Sequence, residues 1–298
     1  MELVDITEHG KIAEKRLNQT DVAKAIGIAP KTFYEKMKNV NLNCYGILDQ
    51  NDRIHTLGTD SKIIGRIFEM LSQPILEEIA KKHKMILKTP KSQTVYPDFI
   101  LMASEDSKNK IAVDIKTTYI TNDSSTIKFT LGSYGSYMRN NTKNIEYKYT
   151  DYSKHYVIGF IYKRNDLAQE SKVYKYSNRT EITFPYVDVQ YFIQEKYKIA
   201  GDKPGSGNTE NLGSFSTKEF SDLKNGLGPF NELGQDIFDL YWKHYPKYRS
   251  PEKAYTSLPE FIEWFPKQQK NDVTLLHSYD YEDVIKNLET YKKKHSLT

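Results

Sequence analysis

The sequence predicts an α/β fold of the α+β kind, with a central mixed β-sheet flanked by helices. Three observations point there. Helical apolar spacing fills the N-terminal part, strand-like runs rich in β-branched residues fill the middle, and helical spacing returns beyond a Gly-rich polar loop. The chain has 298 residues, close to the roughly 250 to 300 at which a single core stops growing, so one main domain with small appendages is expected.

Residues 1–44 read as helical and polar. Gln19 to Ile28 places a capping candidate ahead of a helix and Gly27 near its end, and a second helix starts near Pro30 with Phe33, Tyr34 and Met37 on it. The pair resembles a helix-turn-helix. A short hairpin from Tyr45 to Leu57 turns at Asn51-Asp52. Thr59 or Asp60 caps the next helix, whose apolar face carries Ile63, Ile64, Ile67, Phe68 and Leu71. Ser72 and Pro74 restart a helix with Leu76, Ile79 and Ala80 facing inward. Tyr96 to Met102 and Lys110 to Tyr119 form a strand pair around the polar turn Ser104 to Asn109, and Tyr156 to Tyr162 and Val187 to Ile193 are further strands. Ala200 to Ser214 reads as the Gly-rich loop. Helical clusters follow around Phe238, Leu240, Tyr241 and Trp242, and around Phe261, Trp264 and Phe265.

Composition excludes several classes. Lys and Arg total 43 against 39 Asp and Glu, a formal charge of +4 that suits an anionic partner without requiring one. The single Cys44 rules out an internal disulfide and any Cys-built zinc site, and the seven His form no ligand-spaced pair. No apolar run nears the roughly 18 residues that span a bilayer, and the start Met1-Glu2-Leu3-Val4-Asp5 lacks a signal pattern. A cytoplasmic protein with no membrane partner is expected.

The chemistry concentrates in Ile111-Ala112-Val113-Asp114-Ile115-Lys116-Thr117-Thr118-Tyr119. Period two puts Asp114 and Lys116 on one strand face, with Cα atoms roughly 6.5 to 7 Å apart. Buried charges must be paired, metal-bound or neutralised. Tyr96-Pro97-Asp98-Phe99 offers a second carboxylate on the neighbouring strand. Two carboxylates and a backbone carbonyl make an oxygen-only site, which suits Mg²⁺ better than zinc. Standing alone, an Asp and a Lys two apart read as an edge-strand ion pair of little energetic weight.

The flanking context changes that. Pro97-Asp98, followed after a polar turn by Asp114-Ile115-Lys116, resembles the signature of the PD-(D/E)xK nuclease superfamily. From about Tyr45 to Trp264 the resemblance narrows to the EcoRV family of type II restriction endonucleases. It is carried in order by Leu57-Gly58-Thr59-Asp60-Ser61-Lys62, Tyr96-Pro97-Asp98-Phe99, Asp114 to Tyr119, Lys128-Phe129-Thr130-Leu131-Gly132, Arg139-Asn140-Asn141-Thr142-Lys143-Asn144, and Ile199-Ala200-Gly201-Asp202 followed by Gly205-Ser206-Gly207-Asn208-Thr209.

The resemblance implies a restriction-endonuclease-like fold over 43–268; it leaves unexplained the two ends, which the residue pattern reads as a helical, helix-turn-helix-like extension at 1–42 and a helical extension at 269–298. It implies Mg²⁺-dependent hydrolysis of double-stranded DNA, with Mn²⁺ substituting. Asp98, Asp114 and the Ile115 carbonyl would hold the metal, Lys116 would serve the attacking water and the phosphate, and Glu69 would touch a second ion. The loop Gly205, Ser206, Gly207, Asn208, Thr209 would read bases, Asn208 suiting adenine and Thr209 thymine. Glu210 departs from the family's Thr, and Thr94, beside Gln93 in the minor-groove loop, departs from its Asn. Thr117, Ser136, Arg139, Asn140, Asn141, Thr142 and Lys143 would also contact DNA, the polar run 136–143 as a phosphate clamp. The implied target is 5′-GATATC-3′, cut bluntly to leave 5′-phosphates. A palindrome implies a homodimer, and in the cell a cognate DNA methyltransferase as a functional partner. The segment Thr20 to Lys38 lacks a third helix and is expected to pack rather than to read DNA independently.

Overall fold

The computed structural model describes residues 28, 30–205, 210–247, 249–267 and 281–296. The first helix of the expected helix-turn-helix therefore lies outside the described residues. Its second helix is present as α1 (Pro30–Met37), which buries Phe33 and Met37. The hairpin follows as β1 (Ile47–Leu48) and β2 (Arg53–Leu57). Asp52 takes a left-handed φ of 55° at its turn.

The expected restart of a helix at Ser72 and Pro74 is not observed. One helix, α2, runs unbroken from Ser61 to Lys82 with Asp60 as its N-cap, accepting hydrogen bonds from the Lys62 and Ile63 N–H groups. Pro74 sits on the exposed face, while Ile64, Phe68, Ile75, Leu76 and Ile79 keep one buried stripe across it. Continuous packing of that stripe outweighs the hydrogen bond that Pro74 removes. Ile63, expected on the apolar face, is exposed.

The main sheet has five strands. They are β3 (Ile86–Lys88), β4 (Phe99–Met102), β5 (Lys110–Ile120), β7 (Tyr152–Arg164) and β9 (Tyr186–Glu195), in the order β3-β4-β5-β7-β9. Only the β5–β7 pair is parallel, so the sheet is mixed as expected. Alternation splits the core in two. Ile111, Val113 and Ile115 of β5 pack with α1 and α2, whereas Ala112 belongs to the opposite cluster, which holds most of the C-terminal aromatic residues. Between β5 and β7 in the chain comes β6 (Thr130–Ser133), and between β7 and β9 comes β8 (Glu170–Lys175). The latter pairs with β2 to make a separate three-stranded sheet, a pairing the local pattern does not announce.

After β9 the chain makes one helical turn, α3 (Lys196–Ile199). The Gly-rich stretch is not all loop. Its flanks are β10 (Ala200–Pro204) and β11 (Asn211–Ser214), antiparallel to each other, with β11 also on β6. Hydrogen bonding of the stems absorbs residues whose composition suggests coil. Among the described residues, four further helices follow: α4 (Phe220–Asn225), α5 (Gly234–His244), α6 (Leu258–Trp264) and α7 (Tyr281–Lys294). Val284 and Leu288 of α7 join the same core cluster as α5 and α6.

Candidate active site

Strand β5 builds the site by alternation. The face opposite α2 carries Ala112, Asp114 and Lys116 in turn, so the apolar lining turns ionic at Asp114, which is 2% exposed. The antiparallel register Phe99↔Val113 brings the residue before β4, Asp98, beside it. There the Ile115 N–H donates to Asp98 Oδ2 at 2.6 Å, so backbone geometry sets the spacing of the two carboxylates. Lys116 Nζ lies 2.8 Å from Asp114 Oδ1 and 3.4 Å from the Ile115 carbonyl. On β7, Gly159 stands level with Lys116, and a Cβ there would collide with the Phe192 ring.

A residue that sequence reasoning missed completes the cluster. Lys196, the first residue of α3, is 1% exposed and places Nζ 3.5 Å from Asp114 Oδ2. Its ammonium also lies 4.0 Å from the centre of the Tyr96 ring. That ring stacks on Tyr137 at 4.3 Å, and its hydroxyl meets His155 Nδ1 at 2.8 Å. Nothing in Glu195-Lys196-Tyr197-Lys198 distinguishes this lysine from a solvated one.

The electrostatics follow from burial and neighbours. Burial, then the Asp114 charge, push Asp98 up to about 7 against the opposing pull of Lys116 and the Ile115 N–H. For Asp114 burial acts in the same direction, but Lys116 and Lys196 outweigh it and hold the carboxyl below its usual range. Burial works against the Lys116 charge, yet Asp114 and Asp98 keep that amine above its ordinary value. Lys196 is pulled down to about 8, chiefly by burial, with Asp114 opposing.

Do these residues suit a divalent cation? The donors are all oxygen, and Asp98 is raised partly because two anions crowd one place, which a cation relieves. They fit a hard ion. Among the described residues no group of three or more His, Cys, Asp or Glu is arranged to hold a metal, so Asp98 and Asp114 would have to be completed by the carbonyl and by non-protein oxygens. Glu69 is not a third member of the cluster. It pairs with Arg66 and lines a cleft with Gln93, Asp98, Ile115 and Thr117.

The remaining expected residues fall in two places. Gln93 and Thr94 are exposed on the loop ahead of Asp98, with Thr94 Oγ1 3.1 Å from Ser92 Oγ. Ser136 is buried and donates to the Lys143 carbonyl at 3.2 Å. Asn140 donates to the Gly135 and Ser136 carbonyls at 3.2 Å each. Asn141, at a φ of 57°, accepts from the Thr150 N–H at 3.0 Å. Thr142 and Lys143 are exposed. Arg139 donates to Glu210 at 3.1 Å and to the Tyr245 carbonyl at 2.7 Å, so the unexpected acid at 210 meets the guanidinium expected to face phosphate. The Gly205 N–H donates to the Asn211 carbonyl at 2.7 Å, at the end of the hairpin stems. Ser206, Gly207, Asn208 and Thr209 lie outside the described residues.

Comparison with known proteins bears on this geometry. The family described as restriction endonuclease EcoRV matches residues 38–266. The type II restriction enzyme EcoRV of Escherichia coli is 40% identical over 235 residues, which span 78% of this chain and 95% of that protein. A solved NlaIV restriction endonuclease is 11% identical, with 90% of this chain and 88% of that chain covered, at a TM-score of 0.34, too loose a likeness to weigh. The chain is a restriction endonuclease, a type II site-specific deoxyribonuclease. It belongs to the EcoRV family.

Proposed function

We propose that the protein cuts both strands of 5′-GATATC-3′ at the centre, with Mg²⁺ as cofactor and Mn²⁺ able to replace it, leaving blunt ends with 5′-phosphates and 3′-hydroxyls. The observation that carries this reading is the Asp98–Ile115–Asp114–Lys116 cluster, two carboxylates tied to one strand register with an ammonium in contact. Asp98, Asp114 and the Ile115 carbonyl hold the cation. A divalent ion there neutralises charge at the phosphate and acidifies the attacking water. Lys116, kept protonated by its two carboxylates, orients that water and offsets charge growing on the phosphorus in in-line attack. Glu69, on the cleft wall next to Asp98, serves a second ion once released from Arg66.

Recognition is assigned to residues Gly205 to Thr209 and to Glu210, in the sequence between β10 and β11, with Gln93 and Thr94 on the minor-groove side. Thr117, Arg139, Asn140, Thr142 and Lys143 contact the DNA backbone, and Ser136 and Asn141 act by shaping that loop through their backbone hydrogen bonds. The active species is a homodimer in the cytoplasm, paired in function with a methyltransferase of the same specificity. Support for the dimer comes from the β1-β2-β8 sheet and its flank, where Ile47, Leu48, Val173 and Tyr176 are all exposed large apolar residues. Residues 43–268 make the nuclease unit. The test is digestion of a sequenced plasmid with Mg²⁺, with both cut ends mapped. Blunt ends at GATATC are expected, and ends elsewhere or staggered would refute the assigned target.

A further inference from the structure

Lys196 has no place in that scheme, yet it is buried at the charge centre. An ammonium 1% exposed is costly to remove from water unless something compensates it. Compensation comes from Asp114 Oδ2 at 3.5 Å and the Tyr96 ring face at 4.0 Å. Asp114 therefore has a lysine on each oxygen, Lys116 on Oδ1 and Lys196 on Oδ2. Two lysines balance two carboxylates, and of the two lysines only Lys116 retains appreciable solvent exposure, at 24% against 2% for Lys196. Lys196 is further fixed by the turn of α3, which begins directly after β9.

We propose that Lys196 is a positioning residue, a built-in counter-ion that holds the Asp114 carboxylate in place while no divalent cation is bound and that weakens cation binding by its own charge. The inference rests on the reading of Asp98 and Asp114 as the cation site. It makes the stability of the cation-free enzyme and its affinity for the ion two sides of one balance, because whatever binds the folded state at this point must share Asp114 with the ammonium.

The experiment compares wild type with Lys196→Met in the full-length protein without DNA, measuring Tm in EDTA and in saturating Ca²⁺, and the Ca²⁺ dissociation constant by calorimetry. In EDTA the variant is expected to lose roughly 5 to 10 °C, the loss expected on breaking a buried ion pair in a chain of this size. Ca²⁺ should restore most of that, and should bind the variant on the order of tenfold more tightly, since a like charge has gone. Lys196→Arg, which keeps the charge, should respond to Ca²⁺ as wild type does. A Tm loss equal in EDTA and in Ca²⁺, or an unaltered Ca²⁺ affinity, would overturn the proposal and leave Lys196 a packing element. If Lys196→Met does not fold, the same measurements on Lys196→Gln decide. A wild type that ignores Ca²⁺ altogether would refute the cation site itself, a separate outcome from a response that the variant leaves unchanged.

Discussion

Asp114 in β5 and Asp239 in α5 are buried to nearly the same extent, 2% and 1% exposed, yet their carboxyls are driven in opposite directions. Burial pushes both up. Around Asp114 two ammonium groups reverse it. Around Asp239 the hydrogen-bond partners are neutral donors, the Tyr149 hydroxyl at 2.6 Å and the Gln235 amide at 2.8 Å, and the more distant Asp236 and Lys196 charges act in opposite directions. They do not overcome burial, and the carboxyl rises to about 8. Asp239 Oδ2 has no hydrogen-bond partner among the described residues, which leaves it as the place for a proton. Burial sets the size of the penalty, whereas the formal charge of the neighbours decides which protonation state survives. One pocket is built to keep an anion and the other to keep an acid.

The largest effect should come from removing the anion. Asp114→Ala and Lys116→Ala are each expected to lose at least about a thousandfold in plasmid cleavage while keeping the wild-type fold and the wild-type elution volume on gel filtration. Cleavage surviving in Asp114→Ala would break the comparison at its functional end.

The second effect is a pH dependence of opposite origin. Asp239 keeps its proton in the folded chain, whereas the unfolded chain releases it near the ordinary value of about 3.9. The stability this contributes is whole below that value and is lost progressively as pH rises through about 8. The slope reaches up to about 1.4 kcal/mol per pH unit within the window. Urea midpoints at pH 5.5 and 8.5 should therefore fall with pH in wild type, and fall much less in Asp239→Asn, which still cuts DNA. Equal slopes in the two proteins would place the proton elsewhere.

Smaller still is Tyr149→Phe, which takes one neutral donor from Asp239 and should lower stability by about 1 to 2 kcal/mol without altering the cleavage site. The smallest concerns a third carboxylate. Glu210 is 28% exposed where it meets Arg139, so solvent screens the pair. Glu210→Thr should tighten DNA binding by less than about tenfold and steepen its salt dependence by about one phosphate contact, as the guanidinium is freed. Affinity measured at several salt concentrations checks this, and an unchanged slope would mean that Arg139 never turns to phosphate.

What the sequence reveals divides along the range of the interactions. Asp114 and Lys116 are legible because period two on a β-branched run fixes their common face, and Asp98 because the Pro-Asp step precedes the partner strand. The β4–β5 hairpin, β7 and β9 are legible for the same local reason. The joining of Glu170–Lys175 to Arg53–Leu57 is not, since that pairing spans more than a hundred residues. Lys196 is hidden for the same reason, because its burial depends on β5 and Tyr96 rather than on its own neighbours. The helix break expected at Pro74 fails because an exposed proline is tolerated when the buried stripe beneath it is continuous. The polar run 136–143 is legible as composition, but the hydrogen bonds of the Ser136, Asn140 and Asn141 side chains to backbone groups are not, since they depend on how the chain folds back on itself.

The Ile115 N–H that grips Asp98 has a consequence for the strand register of this chain. A main-chain donor rather than a rotamer sets the distance between the two acids, and the connecting turn at 103–109 is itself tied down, since the carbonyls of Glu105 and Ser107 accept from the buried Lys110 ammonium. A slip of a single position in the pairing of Phe99 with Val113 would turn Asp114 inward against α2 and dismantle the proposed cation site. The turn and the ladder therefore act as one clamp, with the buried Lys110 fastening the loop to the strand that carries Asp114.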